Sequence, residues 1–197
     1  MEHKVFQWGA PHGLLILKYV KENDGCTVAE VKQCLGIPLS LSPLSLLIRH
    51  ADRIPMEIAA TYFKKLAVNK LITTDQSPES IKRWALRIAN SSHLYITSEG
   101  EEVLRSHGRR IIQLLNFIQG KKSSLIKDVD IYWKQTCSGA IVLDDDFGHL
   151  RLSPIVACGF VELDGPLRKG DTVVKLTEKG SMALKDQPEN VLRLIYG

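Results

Sequence analysis

The sequence of 197 residues lacks the long apolar runs of a membrane protein and the motifs of the common enzyme classes. No apolar stretch approaches the ~18 residues of a membrane span. The first residues, MEHKVFQWGAPHG, have no signal-peptide pattern. GxSxG, HExxH, Walker A and GxGxxG motifs are missing. We therefore expect a cytoplasmic protein that has no membrane contact, is not an enzyme, has no catalytic residues and binds no cofactor.

The sequence also has little of what a metal site or a disulfide framework needs. Its four cysteines form neither a CxxC pair nor a cluster with histidine. Cys34 and Cys158 resemble small core residues, and a thiol redox switch is the alternative. The acids at 144–146 with His149 suggest a metal site, but three acids before a Phe-Gly turn are more typical of a solvated loop. No metal ligand is predicted.

Two ten-residue segments of the chain resemble each other. YITSEGEEVL begins at residue 95 and KLTEKGSMAL at residue 175, so Thr97 aligns with Thr177 and Gly100 with Gly180. Each segment predicts a strand that runs into a helix, with the threonine as N-cap. Glycine disfavours the first turn of a helix, so its presence there indicates that another backbone passes close by.

The residues upstream of the two segments also align. LAVNKLITTD (66–75) matches VACGFVELD (156–164), which places Asn69 on Gly159; both residue types enter the left-handed conformation that ends helices. The offset is 90 residues before the loop and 80 after it, so the first loop is longer by ten. Each half thus predicts a helix, a two-stranded hairpin and a closing helix, the back half of a winged helix.

We therefore predict a mostly α fold with small β-hairpin wings (α+β), built as two tandem winged helix-turn-helix units. The predicted divisions are a first winged-helix domain over 1–98, a linker helix over 99–120 and a shorter second domain over 121–197. The linker helix has more apolar surface than one small domain needs. We expect it to bury part of that surface against the second unit or in a homodimer through 99–119.

The first half supplies the remaining helices of the motif. HGLLILKYVKEN (12–23) predicts a buried first helix. Thr27 and Glu30 form a capping-box pattern that opens the second helix. The inward face of that helix is predicted to contain Val28, Val31, Cys34 and Leu35.

A later helix from Pro55 to Val68 is the predicted recognition helix. Its apolar residues fall at helical spacing, and its outer face would enter the major groove of DNA. That face carries Glu57, Thr61, Lys64 and Lys65. Residues 37–54 are an insertion in which Ser42-Pro43 signals the start of an extra helix. This extra helix is an alternative recognition helix, and the residues that would read DNA are then Arg49, His50 and Arg53.

The first hairpin loop interleaves basic and aromatic residues, as a wing along a phosphate backbone would. These residues are Lys82, Arg83, Trp84 and Arg87. Their spacing fits a strand and also fits a short helix that starts at Ser77-Pro78; we favour the strand. In the alternative without DNA, Trp84 packs on its own domain.

The second half predicts shorter elements. SSLIKDVDIYWKQ (123–135) predicts the opening helix of the second unit, and Ser153-Pro154 starts its short last helix. The second wing is FVEL, a DGPLRKGD turn and TVVKL, with Arg168 and Lys169 at the tip. These two residues complete the set of predicted DNA contacts.

The positive charge is concentrated in the first half. Residues 1–120 hold 15 Lys and Arg against 11 Asp and Glu, whereas residues 121–197 hold 11 of each. The net charge of +4 is mild. An acidic partner should therefore meet the first half more strongly than the second.

Three segments together, TVAEVKQCLG, YFKKLAVNKLI and HLYITSEGEEVL, resemble the winged helix-turn-helix of MarR/PadR-type transcriptional regulators. The resemblance covers about residues 12–107 and, more weakly, 125–186. It implies sequence-specific binding of double-stranded DNA by a nucleoid-associated regulator, with residues 56–67 in the major groove and Lys82, Arg83 and Arg87 as wing contacts. Tandem winged helices also resemble plasmid replication initiators and the winged-helix partners of chromosome-condensing complexes. The alternative is therefore a protein-interaction module or a replication or chromosome-maintenance factor.

Overall fold

The chain divides into two compact units, the first extending to Glu102 and the second beginning at Val103. The computed structural model describes residues 12–35, 62–63, 65–75, 89–136 and 152–196. Within these residues each unit contains helices and one three-stranded antiparallel sheet. The predicted α+β class, mostly helical with small sheets, is confirmed.

The first unit alternates helices with short strands. Its elements are α1 (His12–Glu22), β1 (Cys26–Thr27), α2 (Val28–Cys34), β2 (Ile72–Thr74) and β3 (His93–Ile96). The described residues between 62 and 68 are also helical. Strand β3 is the central strand of the sheet and pairs with both β1 and β2. Cys26 lies opposite Leu94, and Ile72 lies opposite Ile96.

The second unit has the same order of elements. Helix α3 (Ser98–Gly120) begins in the first unit and continues into the second. It is followed by β4 (Ser124–Leu125), α4 (Ile126–Thr136), α5 (Leu152–Ala157), β5 (Val161–Asp164), β6 (Val173–Leu176), α6 (Glu178–Ala183) and α7 (Pro188–Tyr196). Strand β6 lies between β4 and β5, as β3 lies between β1 and β2. The hairpin predicted at the second wing is therefore present.

The buried side chains follow the predicted apolar spacing. In α1 they cover much of the circumference, at Leu14, Ile16, Leu17 and Val20, so this helix is enclosed as predicted.

The capping box of α2 is also confirmed. The Thr27 hydroxyl accepts from the Glu30 amide at 3.2 Å, and the Glu30 carboxylate accepts from the Thr27 amide at 2.6 Å. The Thr27 amide and, at 2.9 Å, the Thr27 hydroxyl both donate to the Glu30 carboxylate, and these two bonds lower the pKa of that carboxyl.

A threonine joins the first hairpin to α3. The Thr97 amide donates to the Leu71 carbonyl at 3.2 Å, and its hydroxyl donates to the Lys70 carbonyl at 2.7 Å. The same hydroxyl oxygen accepts from the Gly100 amide at 3.0 Å, which caps the first turn of α3. The amide and the hydroxyl of one residue thus link the end of β3 to the start of the helix.

The second hairpin is joined to α6 by the same set of bonds. Thr177 donates its amide to the Phe160 carbonyl at 3.1 Å and its hydroxyl to the Gly159 carbonyl at 2.7 Å. Its hydroxyl oxygen accepts from the Gly180 amide at 3.0 Å. The predicted capping role of both threonines is confirmed.

Both glycines in these first helical turns lie against backbone. A Cβ added at Gly100 would overlap the Leu71 carbonyl oxygen, and a Cβ added at Gly180 would overlap the Phe160 carbonyl oxygen. These are the same carbonyls that accept from the threonine amides. The close backbone approach predicted from the sequence is confirmed at both sites.

The left-handed residue before the first hairpin is Lys70 and not Asn69. Lys70 has φ 58° and Gly159 has φ 79°, and each precedes the residue whose carbonyl accepts from the threonine. Asn69 instead donates its side-chain amide at 2.8 Å to the carbonyl of Lys65, which lies in the last helical turn before the hairpin. Before the loop, the alignment of the two halves is therefore shifted by one residue from the predicted alignment. Lys70, and not Asn69, corresponds to Gly159.

The predicted role of 123–135 as the opening helix of the second unit is wrong, although most of this segment is helical. Ser124 and Leu125 pair with β6 as Cys26 and Thr27 pair with β3, so α4 corresponds to α2. The opening position belongs to the end of α3, which precedes β4 as α1 precedes β1. The helix predicted as a linker over 99–120 thus lies mostly in the second unit.

The predicted inward face of α2 needs one correction. Val28 and Val31 are buried, but Cys34 is exposed and Lys32 is buried instead. The Lys32 ammonium reaches the side-chain oxygen of Asn90 at 2.8 Å, so its stem packs inward while its charge is hydrogen-bonded.

Cys158, the other cysteine predicted to be a small core residue, is half-buried, and burial is the main cause that raises the pKa of its thiol.

We expect Gly100→Ala and Gly180→Ala each to lower the free energy of unfolding by about 1–3 kcal/mol or more, because the new methyl group must displace a backbone carbonyl. Gly120→Ala is the matched control, since nothing lies within 4 Å of its added Cβ. Alanine there should be neutral or stabilising by up to about 1 kcal/mol. Urea denaturation of the three variants measures these values, and equal stability of all three would contradict the packing at the junctions.

Candidate nucleic-acid interface

The tip of the second hairpin is an ordered turn that presents two cations. Gly165 enters the turn with φ 132°, a backbone angle that favours glycine. The Thr172 hydroxyl donates to the Pro166 carbonyl at 2.7 Å, and the Thr172 amide donates to the Lys169 carbonyl at 3.1 Å. Thr172 is buried, whereas Arg168 and Lys169 are exposed. The turn is therefore held from inside while both charges face solvent.

The same turn is fixed to the start of α4. The Ile126 amide donates to the Thr172 carbonyl at 3.0 Å, and the Lys127 amide donates to the Gly170 carbonyl at 3.1 Å. Amides in the first turn of a helix have no partner within that helix, so the turn satisfies them. These bonds hold the base of the wing against a second element of the unit.

The first hairpin is fixed to α2 in the corresponding way. The Val28 amide donates to the Ser92 carbonyl at 3.0 Å, and the Ala29 amide donates to the Asn90 carbonyl at 2.9 Å. Lys32 adds its bond to the Asn90 side chain. Both hairpins are thus anchored at the same point, although their loops differ in length.

Neither Arg168 nor Lys169 has a side-chain hydrogen bond or ion pair within the part of the chain that the structure describes. Lys127 is also exposed beside this turn, and its Cβ lies 3.5 Å from the position that a Cβ on Gly170 would occupy. Lys127 is a cation that the sequence interpretation missed. Only the pairing of α4 with the turn brings it to the wing.

Lys65 is the one residue of the predicted recognition face that lies in the described part of the helix. It is exposed, and its ammonium lies 5.8 Å from the centroid of the Tyr62 ring. Seven predicted contacts lie outside the described residues: Glu57, Thr61, Lys64, Lys82, Arg83, Trp84 and Arg87. Their role in DNA binding stays a prediction, as does the alternative recognition helix in 37–54.

A histidine–aspartate pair closes the base of the first hairpin. The ring nitrogen Nδ1 of His93 lies 2.9 Å from one Asp75 carboxylate oxygen, and the His93 amide donates to the other at 3.0 Å. The hydrogen bond from the His93 side chain is the main cause that lowers the pKa of the Asp75 carboxyl. The sequence interpretation missed this pair, because the two residues are 18 positions apart.

No group of three or more His, Cys, Asp or Glu suited to a metal occurs among the described residues. Asp144, Asp145, Asp146 and His149 lie outside them. A search of the described helices finds none that is both long and apolar enough to cross a membrane.

Comparison of this chain with known protein families, with curated proteins and with solved structures finds no match. Any proposal about function therefore rests on the residues and geometry of the chain itself.

The Asp75–His93 pair predicts a pH dependence of the first hairpin. Because the folded-state pKa of Asp75 is lowered, its contribution to stability is complete above the ordinary aspartate pKa and is lost as the pH falls through the lower folded value. His93→Phe should return the pKa of Asp75 toward its ordinary value, measured by an NMR titration of the carboxyl carbon. Glu99 is the control, because its pKa is lowered mainly by its own backbone amide. An unchanged Asp75 titration in the variant would contradict the pairing.

Proposed function

We propose that this chain binds double-stranded DNA through two winged helix-turn-helix units and acts as a transcriptional regulator. The order of elements supports this, because helix, strand, helix, helix and hairpin recur in both units. The sheets support it too, since the last strand of each hairpin is the central strand in both. This order matches the winged helix that the sequence resemblance implies.

The basic tip of the second hairpin carries the proposal. Arg168 and Lys169 are exposed, have no acidic partner among the described residues, and stand on a turn whose base is fixed to α4. Cations on a fixed hairpin turn are suited to contact the phosphate backbone of DNA. Such contacts position a protein on DNA without specifying the sequence. In this proposal, base reading belongs to the helix that ends at Val68, and Lys82, Arg83 and Arg87 form the first wing.

A protein partner is the second candidate function, and the exposed apolar residues of the second unit favour it. Ile131 and Leu194 are both exposed, and Met182 is 69% exposed. Large apolar side chains at the surface more often mark protein contacts than DNA contacts. The described part of α5 also contains no basic residue. The second unit therefore offers exposed apolar side chains that suit a protein partner.

The salt dependence of DNA binding tests the wing. For the unaltered chain, log Kd should rise linearly with log salt, with a slope of about 0.9 for each phosphate contact. Arg168→Ala with Lys169→Ala should lower that slope by up to about 1.8 at every sequence tested, because both lost contacts are to phosphate. Fluorescence anisotropy with labelled duplexes at four salt concentrations measures the slope.

The matched control is Lys134→Ala with Lys185→Ala, which removes two other exposed lysines of the same unit. It removes the same net charge, so an equal change in slope would show that overall charge and not the wing is responsible. A chain that binds no duplex at low salt would contradict the DNA proposal and favour the protein partner.

The recognition helix gives a separate prediction about specificity. Replacing Thr61 or Lys64 by alanine should change which sequences are preferred, by about 1–3 kcal/mol for each base contact that is lost. Replacing Lys82, Arg83 and Arg87 should instead weaken binding to all sequences alike. Selection of preferred duplexes from a random pool, followed by affinity measurements, distinguishes the two. Identical preferences in all variants would place base reading elsewhere, with Arg49, His50 and Arg53 as the next set to replace.

A further inference from the structure

The strand pairing aligns the surfaces of the two units position by position. Cys26 pairs with Leu94 in the first sheet as Ser124 pairs with Val174 in the second. Helix α1 precedes β1 at the same distance in the chain as α3 precedes β4. The end of α3 therefore corresponds to α1, and α4 corresponds to α2, so each residue on these helices has a counterpart in the other unit.

A groove between the end of α3 and α4 is more apolar in the second unit than the same surface in the first. Phe117 of α3 stacks on Tyr132 of α4, with ring centroids 4.2 Å apart and ring planes 13° from parallel. Ile131 lines the same groove and is 55% exposed. The corresponding positions of the first unit hold Tyr19, Cys34 and Gln33.

The first unit shows that the fold does not require an apolar side chain at the position of Ile131. Gln33 is exposed there, and α2 is nevertheless fixed to its hairpin by the same backbone hydrogen bonds as α4. An isoleucine that stays half exposed gains only part of the free energy of burial when its own unit folds. Its apolar surface therefore suits a contact outside the unit.

Two side chains of opposite charge also line this groove. The Lys121 ammonium lies 4.6 Å from the centroid of the Phe117 ring. The Asp128 carboxylate stands in the first turn of α4. Within the part of the chain that the structure describes, neither charged group has a side-chain hydrogen bond or an ion pair.

The first unit explains why the Asp128 carboxylate is available. Its counterpart Glu30 accepts from the amide and the hydroxyl of Thr27 in the capping box. In the second unit Leu125 stands at the position of Thr27 and offers no hydroxyl. The acid of the second unit is thus left to bind a group from elsewhere.

We propose that this groove is the contact surface of a homodimer, so that its occupant is a second copy of the chain. The groove has a volume of about 180 Å³, which is room for one bulky apolar side chain. The chain supplies such a side chain in Ile131. In a dimer with two-fold symmetry, Ile131 of each copy enters the groove of the other, because every contact is made twice.

The charges of the groove fit the same partner. Lys121 of each copy meets Asp128 of the other, so the two available charges form two ion pairs across the dimer axis. DNA fits this groove less well, because the Asp128 carboxylate repels phosphate. An apolar centre with charged residues around it is also the usual composition of a protein interface.

The proposed dimer does not rest on the proposed DNA binding. The groove includes none of the residues predicted to contact DNA. It includes only the end of the helix for which the sequence predicts a homodimer through 99–119.

Sedimentation velocity of the full chain at a series of micromolar concentrations measures the dimer. We expect the dimer fraction to rise with concentration. Ile131→Gln, which places in the second unit the residue found in the first, should raise the dissociation constant roughly tenfold to a hundredfold. Met182→Gln is the matched control, because Met182 is 69% exposed in the same unit and does not line the groove. It should leave the dissociation constant unchanged.

A mixing experiment tests whether the charges meet across the dimer. Lys121→Glu and Asp128→Lys should each weaken self-association by about tenfold or more, because like charges then face each other. When the two variants are mixed, with one of them carrying a fluorescent label, each facing pair again has opposite signs. A heterodimer should then form with close to the affinity of the unaltered chain. Mixing cannot restore a contact that lies within one chain.

Three results would overturn the homodimer. The first is a chain that stays monomeric at every concentration. The second is a dimer that Ile131→Gln and Met182→Gln weaken equally, or that neither of them weakens. The third is a mixture of the charge variants that associates no better than each variant alone. If Ile131→Gln fails to fold, the mixing experiment decides. None of these measurements contains DNA, so their outcome is independent of the function proposed for the wings.

Discussion

The contact between a helix and a backbone carbonyl at each hairpin determines how the rest of each unit is arranged. Gly100 and Gly180 let the first turn of a helix approach the carbonyl of Leu71 or Phe160 closely. The same carbonyl accepts from the threonine amide that ends the hairpin. The threonine amide and the close approach of the glycine therefore share one carbonyl, while the threonine hydroxyl oxygen accepts the bond that caps the helix. No residue with a Cβ fits at the glycine without displacing that carbonyl. This explains why one short pattern occurs twice in the chain.

A second shared feature also positions the two hairpins. Amides at the start of a helix have no partner within that helix, and here they donate to the hairpin. Val28 and Ala29 in the first unit, and Ile126 and Lys127 in the second, donate to the residues that precede the central strand. A hairpin held at both its helix junction and its base can present charged side chains in a fixed place. Arg168 and Lys169 occupy such a place on the second hairpin.

The sequence by itself determined the local features of this protein. The capping threonines, the glycine contacts, the capping box at Thr27 and both hairpins were predicted, because each depends on residues close together in the chain or on a pattern that repeats. Among the candidate contacts, Arg168 and Lys169 were correctly placed at a hairpin tip for the same reason. The tertiary structure alone decided which helix opens the second unit, that Lys70 and not Asn69 is left-handed, that Lys127 lies beside the wing, and that Asp75 pairs with His93. It also decided that Lys32 is buried while Cys34 is not. These features depend on which strands pair and which helices pack together, so residues distant in sequence become neighbours only when the chain is folded.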